Sequence, residues 1–356
     1  MKRITVKVGS NVLTRADGTL DVTRMSALVD QVAQLRREGI EVILVSSGAV
    51  ASGRSEINPS ARHLDTTSQR QLFSAVGQAK LINRYYELFR DHGMAVGQVL
   101  TMKENFATRR HYLNQKNCMT VMLENGVIPI VNENDTISVT ELMFTDNDEL
   151  SGLIASMMDA DALIILSNID GIYDGSPSDP SSQVIREIGQ QVDLTDYIQA
   201  SKSSFGRGGM LTKTTIARKV ADEGIEVVIA NGKRDDILLH LLHDPDTICT
   251  RFTPNTQPIS GVKKWIAHSE GFAKGAIQIN ACATEVLRGD KAVSILPVGI
   301  TQVEGGFEKD DIIRILDAEG NQIGVGKANC TSAQALATMG KRGNRPVVHY
   351  DYLYLD

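Results

Sequence analysis

Residues Val127 to Met158 read VIPIVNENDTISVTELMFTDNDELSGLIASMM: an apolar run, a polar stretch and a second apolar run in succession. Val127 to Val131 is short, apolar and β-branched, which predicts a buried strand. Leu150, Leu153, Ile154, Met157 and Met158 recur at the 3.6-residue period, which predicts a helix with one apolar face. Between them lie Asn132, Glu133, Asn134, Asp135, Asp146, Asn147 and Asp148. Carboxylates and amides between a strand's carboxyl end and a helix's amino end stand where an open α/β sheet takes its ligand. Capping and turn formation would use one such residue, whereas two clusters are present. A polar ligand site is therefore expected here, with capping as a second role for Asp148.

Outward from this stretch, the first half of the chain repeats the strand-then-helix alternation. Arg3 to Gly9 reads as a first strand, ending in Lys7, Gly9, Ser10 and Asn11. Small residues there free backbone N–H groups for an anion, but the lysine precedes the glycine, so this is not a Walker loop. Lys7 taken singly is equally a solvated strand-end lysine. An amphipathic helix (Met25, Leu28, Val29, Val32, Leu35) stops at Gly39, and the strand Glu41 to Val45 leads into Ser46-Ser47-Gly48-Ala49-Val50-Ala51-Ser52-Gly53. That turn either approaches a ligand with its amides or serves packing alone. Residues 66 to 92 predict a long helix opened by a Ser68-x-x-Gln71 capping box, with Leu72, Val76, Ala79, Ile82 and Phe89 inward. Gly77 within it costs about 1 kcal/mol relative to Ala, which close backbone packing would offset. Ala95 to Thr101 reads as a strand and Tyr112 to Glu124 as a helix.

Beyond the opening stretch, Ala162 to Leu166 is apolar throughout, as for the middle of a parallel sheet. It leads into Ser167-Asn168-Ile169-Asp170-Gly171-Ile172-Tyr173, where the tyrosine faces either a nucleotide base or the core. Gly206-Arg207-Gly208-Gly209-Met210-Leu211-Thr212-Lys213 opens another helix, and three glycines, a threonine and a lysine at a helix start form an anion cradle, with a flexible hinge as the rival reading. Glu226 to Ala230 is expected to close the alternation. From about Cys249 the texture changes: Pro254, Pro258 and Gly261 mark a linker, and short runs such as Ala292 to Leu296 and Asp311 to Leu316 are punctuated by glycine, predicting a small β-rich domain.

The 356 residues, 42% hydrophobic and 22% charged, suit a globular protein of two domains. A net charge of -6 argues against nucleic-acid binding, and residues 270 to 356 hold nine Lys/Arg against eleven Asp/Glu. Four scattered cysteines suggest no zinc knuckle or redox pair and fit free thiols in a reducing cytoplasm. The start, MKRITVKVGS, has no signal-peptide pattern, and no apolar run approaches the ~20 residues of a membrane span.

Two lysines and two amide-rich turns at strand ends suit a triphosphate, and phosphoryl transfer asks the protein mainly for positioning and positive charge. No histidine lies in these motifs. That is awkward for deprotonating an alcohol but harmless for a carboxylate, already ionised above a pKa of ~4.3. With Asn134-Asp135 and Asp146-Asn147 to read an ammonium group, an amino acid phosphorylated on its side-chain carboxylate fits. No metal-ligand set is assigned to the protein itself.

VKVGS, SSGAVASG, AVGQAK, VNENDTIS, FTDNDELSG and GGMLTK, in this order and spacing, resemble the motifs of the glutamate 5-kinase family, and KKWI, SILPVGI and VEGGF resemble the PUA domain that follows in it. The resemblance implies a three-layer α/β/α amino acid kinase domain with a mainly parallel sheet over residues 1–250, a linker over 251–268 and a PUA pseudo-barrel over 269–356. It implies that Lys7 and Lys213 contact the phosphates and the transferring group, with Asp148 orienting both. Ser47, Asp135 and Asn147 would hold glutamate, lined by Gly48, Ala49 and Asn134. Lys7, Gly9, Ser10, Ser167, Asn168, Arg207, Gly208, Gly209, Met210, Leu211, Thr212 and Lys213 would bind ATP, and Mg²⁺ would ride on its phosphates. Asn168 stands where the family usually has Asp, and Arg207 where a small residue is common. The resemblance further implies proline as feedback inhibitor, a glutamyl phosphate reductase as downstream partner, and a cytoplasmic dimer or tetramer. The alternatives are a sister kinase with another carboxylate acceptor, and a regulatory or RNA-binding protein without catalysis.

Overall fold

The β-branched runs pair into one sheet, whose central runs Arg3–Val8, Glu41–Ser46, Ile128–Glu133 and Ala162–Ser167 are buried on both faces and so must be covered on both. In the computed structural model, which describes residues 1–57, 64–137, 144, 146–177, 179–190, 210–256, 261–289 and 292–355, β1 (Arg3–Val8), β2 (Glu41–Ser46), β3 (Val96–Thr101), β4 (Ile128–Glu133), β5 (Ala162–Ser167), β6 (Glu187–Ile188), β7 (Glu226–Asn231) and β8 (Thr250–Phe252) form a sheet of order β3-β4-β2-β1-β5-β7-β8-β6. From β3 to β7 every pairing is parallel. The expectation that Glu226 to Ala230 closes the alternation is corrected: β8 adds on antiparallel to β7, and β6 pairs with β8. Strands of two and three residues are too short to show a hydrophobic period.

The connections are filled by α1 (Ser10–Leu13), α2 (Val22–Arg37), α3 (Ala49–Arg54), α4 (Thr66–Asp91), α5 (Arg109–Glu124), α6 (Asn147–Met157), α7 (Met210–Asp222) and α8 (Ile237–His243). Alternation along β1 sends Ile4, Val6 and Val8 into a core shared with α2, α4 and α8. On the opposite face Leu163 and Ile165 of β5 pack with Ala155 of α6 and Ala217, Val220 and Ala221 of α7. Thr5 and Lys7 of β1 fall on that second face by the same alternation.

Two helix starts differ from expectation. Asp65, not Ser68, caps α4, its side chain accepting from the Ser68 N–H at 2.9 Å. The inward stripe of α4 is Phe73, Ser74, Gly77, Gln78, Leu81, Tyr85 and Phe89, while Leu72, Val76 and Ile82 are half-buried and Ala79 is exposed. The apolar pattern misplaces this face by a residue because polar side chains occupy part of it. Gly77 does permit close backbone packing: a Cβ there would overlap the carbonyl oxygen of Ala49 in α3.

The chain divides into two compact units, Met1–Asn105 with Leu113–Pro258, and Phe106–Tyr112 with Ile259–Asp356. The second holds α9 (Gly261–Ala267), β9 (Gly275–Ile279), α10 (Ala281–Arg288), β10 (Ile300–Gly305), β11 (Ile312–Leu316), β12 (Gln322–Ala328), α11 (Ser332–Thr338) and β13 (Val348–Leu355). Its sheet runs β10-β9-β11-β12-β13, antiparallel except for β9 with β11. The stretch expected as a linker, 251–268, contains most of β8 and all of α9. Ala292 to Leu296 is not a strand: only Ile295 bridges, to Val348, before Pro297 opens a 3₁₀ turn. Among the described residues no helix is long and apolar enough to cross a membrane.

Candidate active site

Strand β1 lies between β2 and β5, where successive connections turn to opposite sides of the sheet, and such a switch point leaves a crevice at the strands' carboxyl ends. Lys7 sits one residue from the end of β1, level with Val45 and Ile165. Gly9 follows, its N–H bonded to the Leu166 carbonyl at 3.1 Å. A Cβ at Gly9 would stand 3.0 Å from that oxygen and 3.5 Å from Lys7 Nζ, so the position suits a residue without one. Ser10, exposed, is the first residue of α1.

At the start of α6 the two aspartates divide the work. Asp146 is the N-cap, its Oδ1 accepting from the Asp148 and Glu149 N–H groups at 2.9 and 3.1 Å. Asp148 therefore does not cap the helix as expected. One step further in, its carboxylate is turned inward and 1% exposed, with Lys7 Nζ 2.5 Å from Oδ1 and Lys213 Nζ 2.9 Å from Oδ2. Lys213 comes from the first turn of α7, across 65 residues of sequence. One buried anion thus joins two ammonium groups, and the amino end of α6 adds favourable dipole. Burial opposes ionisation of Asp148, but Lys7 and then Lys213 outweigh it and hold the carboxyl below its usual range. Burial, with the Asp148 charge beside it, pushes Asp146 the other way, above that range.

Next to the lysines lies a chain of amides. Asn147 Nδ2 donates to Ser47 Oγ at 2.9 Å and to Asn132 Oδ1 at 3.0 Å, and Asn132 Nδ2 donates to Gln78 Oε1 at 2.8 Å. Gly48, at φ 110°, is in the left-handed region that favours glycine and leads into α3 at the buried Ala49. Asn134 accepts from Thr136 Oγ1 at 2.5 Å. Asp135 is held from α4: Arg70 Nε and Nη2 donate to its Oδ1 at 2.9 and 2.6 Å, and Ser74 Oγ donates to its Oδ2 at 3.3 Å. Arg70 Nη2 also reaches Glu133 Oε2 at 3.2 Å.

At the ends of β5 and β7, Ser167 is half-buried and Asn168 exposed, and the Ser167 carbonyl accepts from the Gly232 N–H at 2.8 Å. Asp170 beside them takes a bidentate pair from Arg234 at 2.7 and 2.8 Å and a bond from Asn231 Nδ2 at 3.0 Å. Met210 and Thr212 lie half-buried in the first turn of α7. Arg207, Gly208 and Gly209, and the side chain of Leu211, lie outside the described residues.

Sequence reading missed Arg70, Ser74 and Gln78, which follow one another at four-residue spacing along α4 and face the acid and amide cluster together. That polar i, i+4, i+8 repeat is visible in the sequence as a stripe, masked by the apolar residues beside it. Asp170 with Arg234 carried no local signal, since the pair spans two strand ends.

The strand ends of an α/β sheet thus gather two lysines on one buried carboxylate. Residues 2–231 match the amino acid kinase family and residues 275–349 match the PUA domain. A glutamate 5-kinase of Bacteroides thetaiotaomicron is 78% identical over 355 residues, covering 99% of this chain and 98% of its own. That of Chlorobaculum tepidum is 48% identical over 99% and 97%, and glutamate 5-kinase 2 of Bacillus subtilis 36% over 94% and 90%. The chain belongs to the glutamate 5-kinase family.

Proposed function

We propose that this protein transfers the γ-phosphoryl group of ATP to the side-chain carboxylate of L-glutamate, giving L-glutamyl 5-phosphate and ADP, the first step of proline biosynthesis. The observation that carries this reading is the joining of Lys7 and Lys213 through Asp148. The nucleophile needs no base, because a glutamate side chain is ionised at neutral pH. One carboxylate oxygen attacks the γ-phosphorus while the bond to the β,γ-bridging oxygen breaks, and the displaced electron pair leaves on ADP. Charge spreads over the three equatorial oxygens in this transition state, and two fixed ammonium groups are placed to take it up. Asp148 keeps those groups from drifting apart and itself stays ionised.

Asn147, Ser47, Gly48, Ala49, Asn134 and Asp135 are assigned to glutamate. Gly9, Ser10, Ser167, Asn168 and residues 207–213 are assigned to ATP. Both Asp148 oxygens are engaged by ammonium groups, so a Mg²⁺ arriving on the triphosphate fits with phosphate and water oxygens as its main ligands. It would draw charge from the β- and γ-oxygens. We further infer a cytoplasmic homo-oligomer, a dimer or tetramer, inhibited by proline and feeding its labile acyl phosphate to glutamyl phosphate reductase.

Trapping the acyl phosphate with hydroxylamine tests the reading. The wild-type chain is expected to give the hydroxamate from ATP and L-glutamate, and Lys213→Ala to lower kcat about 10²–10³-fold. Full activity in Lys213→Ala would remove the role assigned to it.

A further inference from the structure

Arg70 lies in the acid cluster assigned to the amino acid, and it is not placed as a simple counter-ion. Its Nε and Nη2 edge is spent on Asp135 and Glu133, while Nη1 has no partner among the described residues. The side chain is 31% exposed, against 8% for Asp135 and 4% for Glu133, so the cation is the reachable member of a buried group. Asp135 Oδ2 is held, among the described residues, only by the 3.3 Å bond from Ser74. One open acceptor on Asp135 therefore stands beside one open donor on Arg70.

An α-amino acid presents that pair in reverse: an ammonium and a carboxylate on one carbon. An ammonium on Asp135 brings the α-carboxylate with it, and an anion next to Asp135 and Glu133 is repelled unless a cation meets it. Lys7 and Lys213 are committed to Asp148, at the phosphoryl end. We propose that Arg70 is the specificity residue for the α-carboxylate: Asp135 takes the ammonium on Oδ2 while Arg70, still anchored to Asp135, donates from Nη1 to the α-carboxylate. This rests on the reading of the site as an amino acid kinase centre and deepens it. It makes the acceptor a zwitterionic α-amino acid, read at both charges before its far carboxylate reaches the lysines. Arginine suits this double duty because its planar fork binds one carboxylate on one edge and leaves another edge for a second.

L-glutamate 1-amide separates this from a merely structural Arg70. It keeps the ammonium and the reacting side-chain carboxylate and lacks only the α-carboxylate charge. With the full chain and hydroxylamine trapping, the wild type is expected to favour glutamate over the amide by on the order of 10²-fold in kcat/KM, below the ~10⁴–10⁵ of a fully enclosed polar site because the Arg70 side chain is 31% exposed. Arg70→Gln, which also loosens Asp135, is expected to raise the KM for glutamate by a much larger factor than that for the amide, so that the preference between them collapses toward unity. Arg70→Lys, which keeps the charge without the fork, is expected to retain part of the preference, and it serves equally if Arg70→Gln does not fold. Two results would overturn the proposal: a wild type that uses both compounds equally, or Arg70 variants in which both KM values rise by the same factor, as loss of a prop under Asp135 would give. A wild type that traps no hydroxamate from glutamate at all would instead remove the kinase reading, and the proposal with it.

Discussion

Asp148 carries the site at the scale of one residue, and its chemistry is a balance of two large effects. A carboxylate 1% exposed is costly to ionise, and only two ammonium groups at 2.5 and 2.9 Å make the charged form the stable one. Because its folded-state pKa is depressed, its contribution to stability is present above the unfolded pKa. It is lost as pH falls through the folded value. Asp146 runs the other way: its raised pKa means that the ionised form costs stability at neutral pH, a cost relieved on acidification. Asp148→Asn leaves two ammonium groups facing each other with no anion between them. It is expected to destabilise the fold by about 3–5 kcal/mol at pH 7. Urea unfolding from pH 7 down to pH 3 should also show a shallower acid-side loss of stability than the wild type. Parallel pH curves would mean that Asp148 is not held ionised by the lysines.

At the scale of elements, α4 shows what the sequence could and could not convey. Its length was legible from the apolar period, and Gly77 was correctly read as a place of close packing. Its inward face was not, because Ser74 and Gln78 are buried for their hydrogen bonds rather than for hydrophobicity, and a period count sees only the second. Asp146 as the cap of α6 was hidden too: both aspartates fit an N-cap by type, and the tertiary positions of Lys7 and Lys213 decide which one turns inward. The lysine and acid-amide turns were legible as strand-end features because Lys7 and the run from Asn132 to Asp135 interrupt apolar sequence there, whereas the glycine turn at 206–209 lies outside the described residues. Gly77→Ala puts helix propensity against packing. The propensity gain is about 1 kcal/mol, whereas the added methyl overlaps the Ala49 carbonyl oxygen, and overpacking typically costs ~1–3 kcal/mol and sometimes more. Backbone yields less readily than a side chain, so a net loss of about 2 kcal/mol is expected in urea denaturation, with activity falling as α3 shifts Gly48. An unchanged or raised midpoint would show that α3 and α4 are free to separate.

For the molecule as a whole, the second unit is not a simple carboxyl-terminal piece, since Phe106–Tyr112 belongs to it together with Ile259–Asp356. Composition cannot show this, because a seven-residue segment changes no average and its partner Trp265 is more than 150 positions away. The physical ties are specific. Trp265 Nε1 donates to the Phe106 carbonyl at 2.9 Å, and the Arg109 guanidinium lies 5.5 Å from the Tyr112 ring centroid and 5.8 Å from that of Trp265. Phe106 and Tyr112 are 1% and 3% exposed. Burying an aromatic side chain contributes about 1.5–3 kcal/mol, and a whole domain is stable by only ~5–15 kcal/mol, so a fragment of residues 259–356 loses a large part of its margin. Trp265 is the single tryptophan of the chain, which makes the loss directly visible. In the fragment its emission is expected to move to longer wavelength than in the full chain, and its thermal unfolding to begin earlier. Joining residues 106–112 to the fragment's amino end through a flexible linker should reverse both. If the bare fragment matched the full chain in emission and in unfolding temperature, the inserted segment would be a bystander, and residues 259–356 would hold their own core unaided.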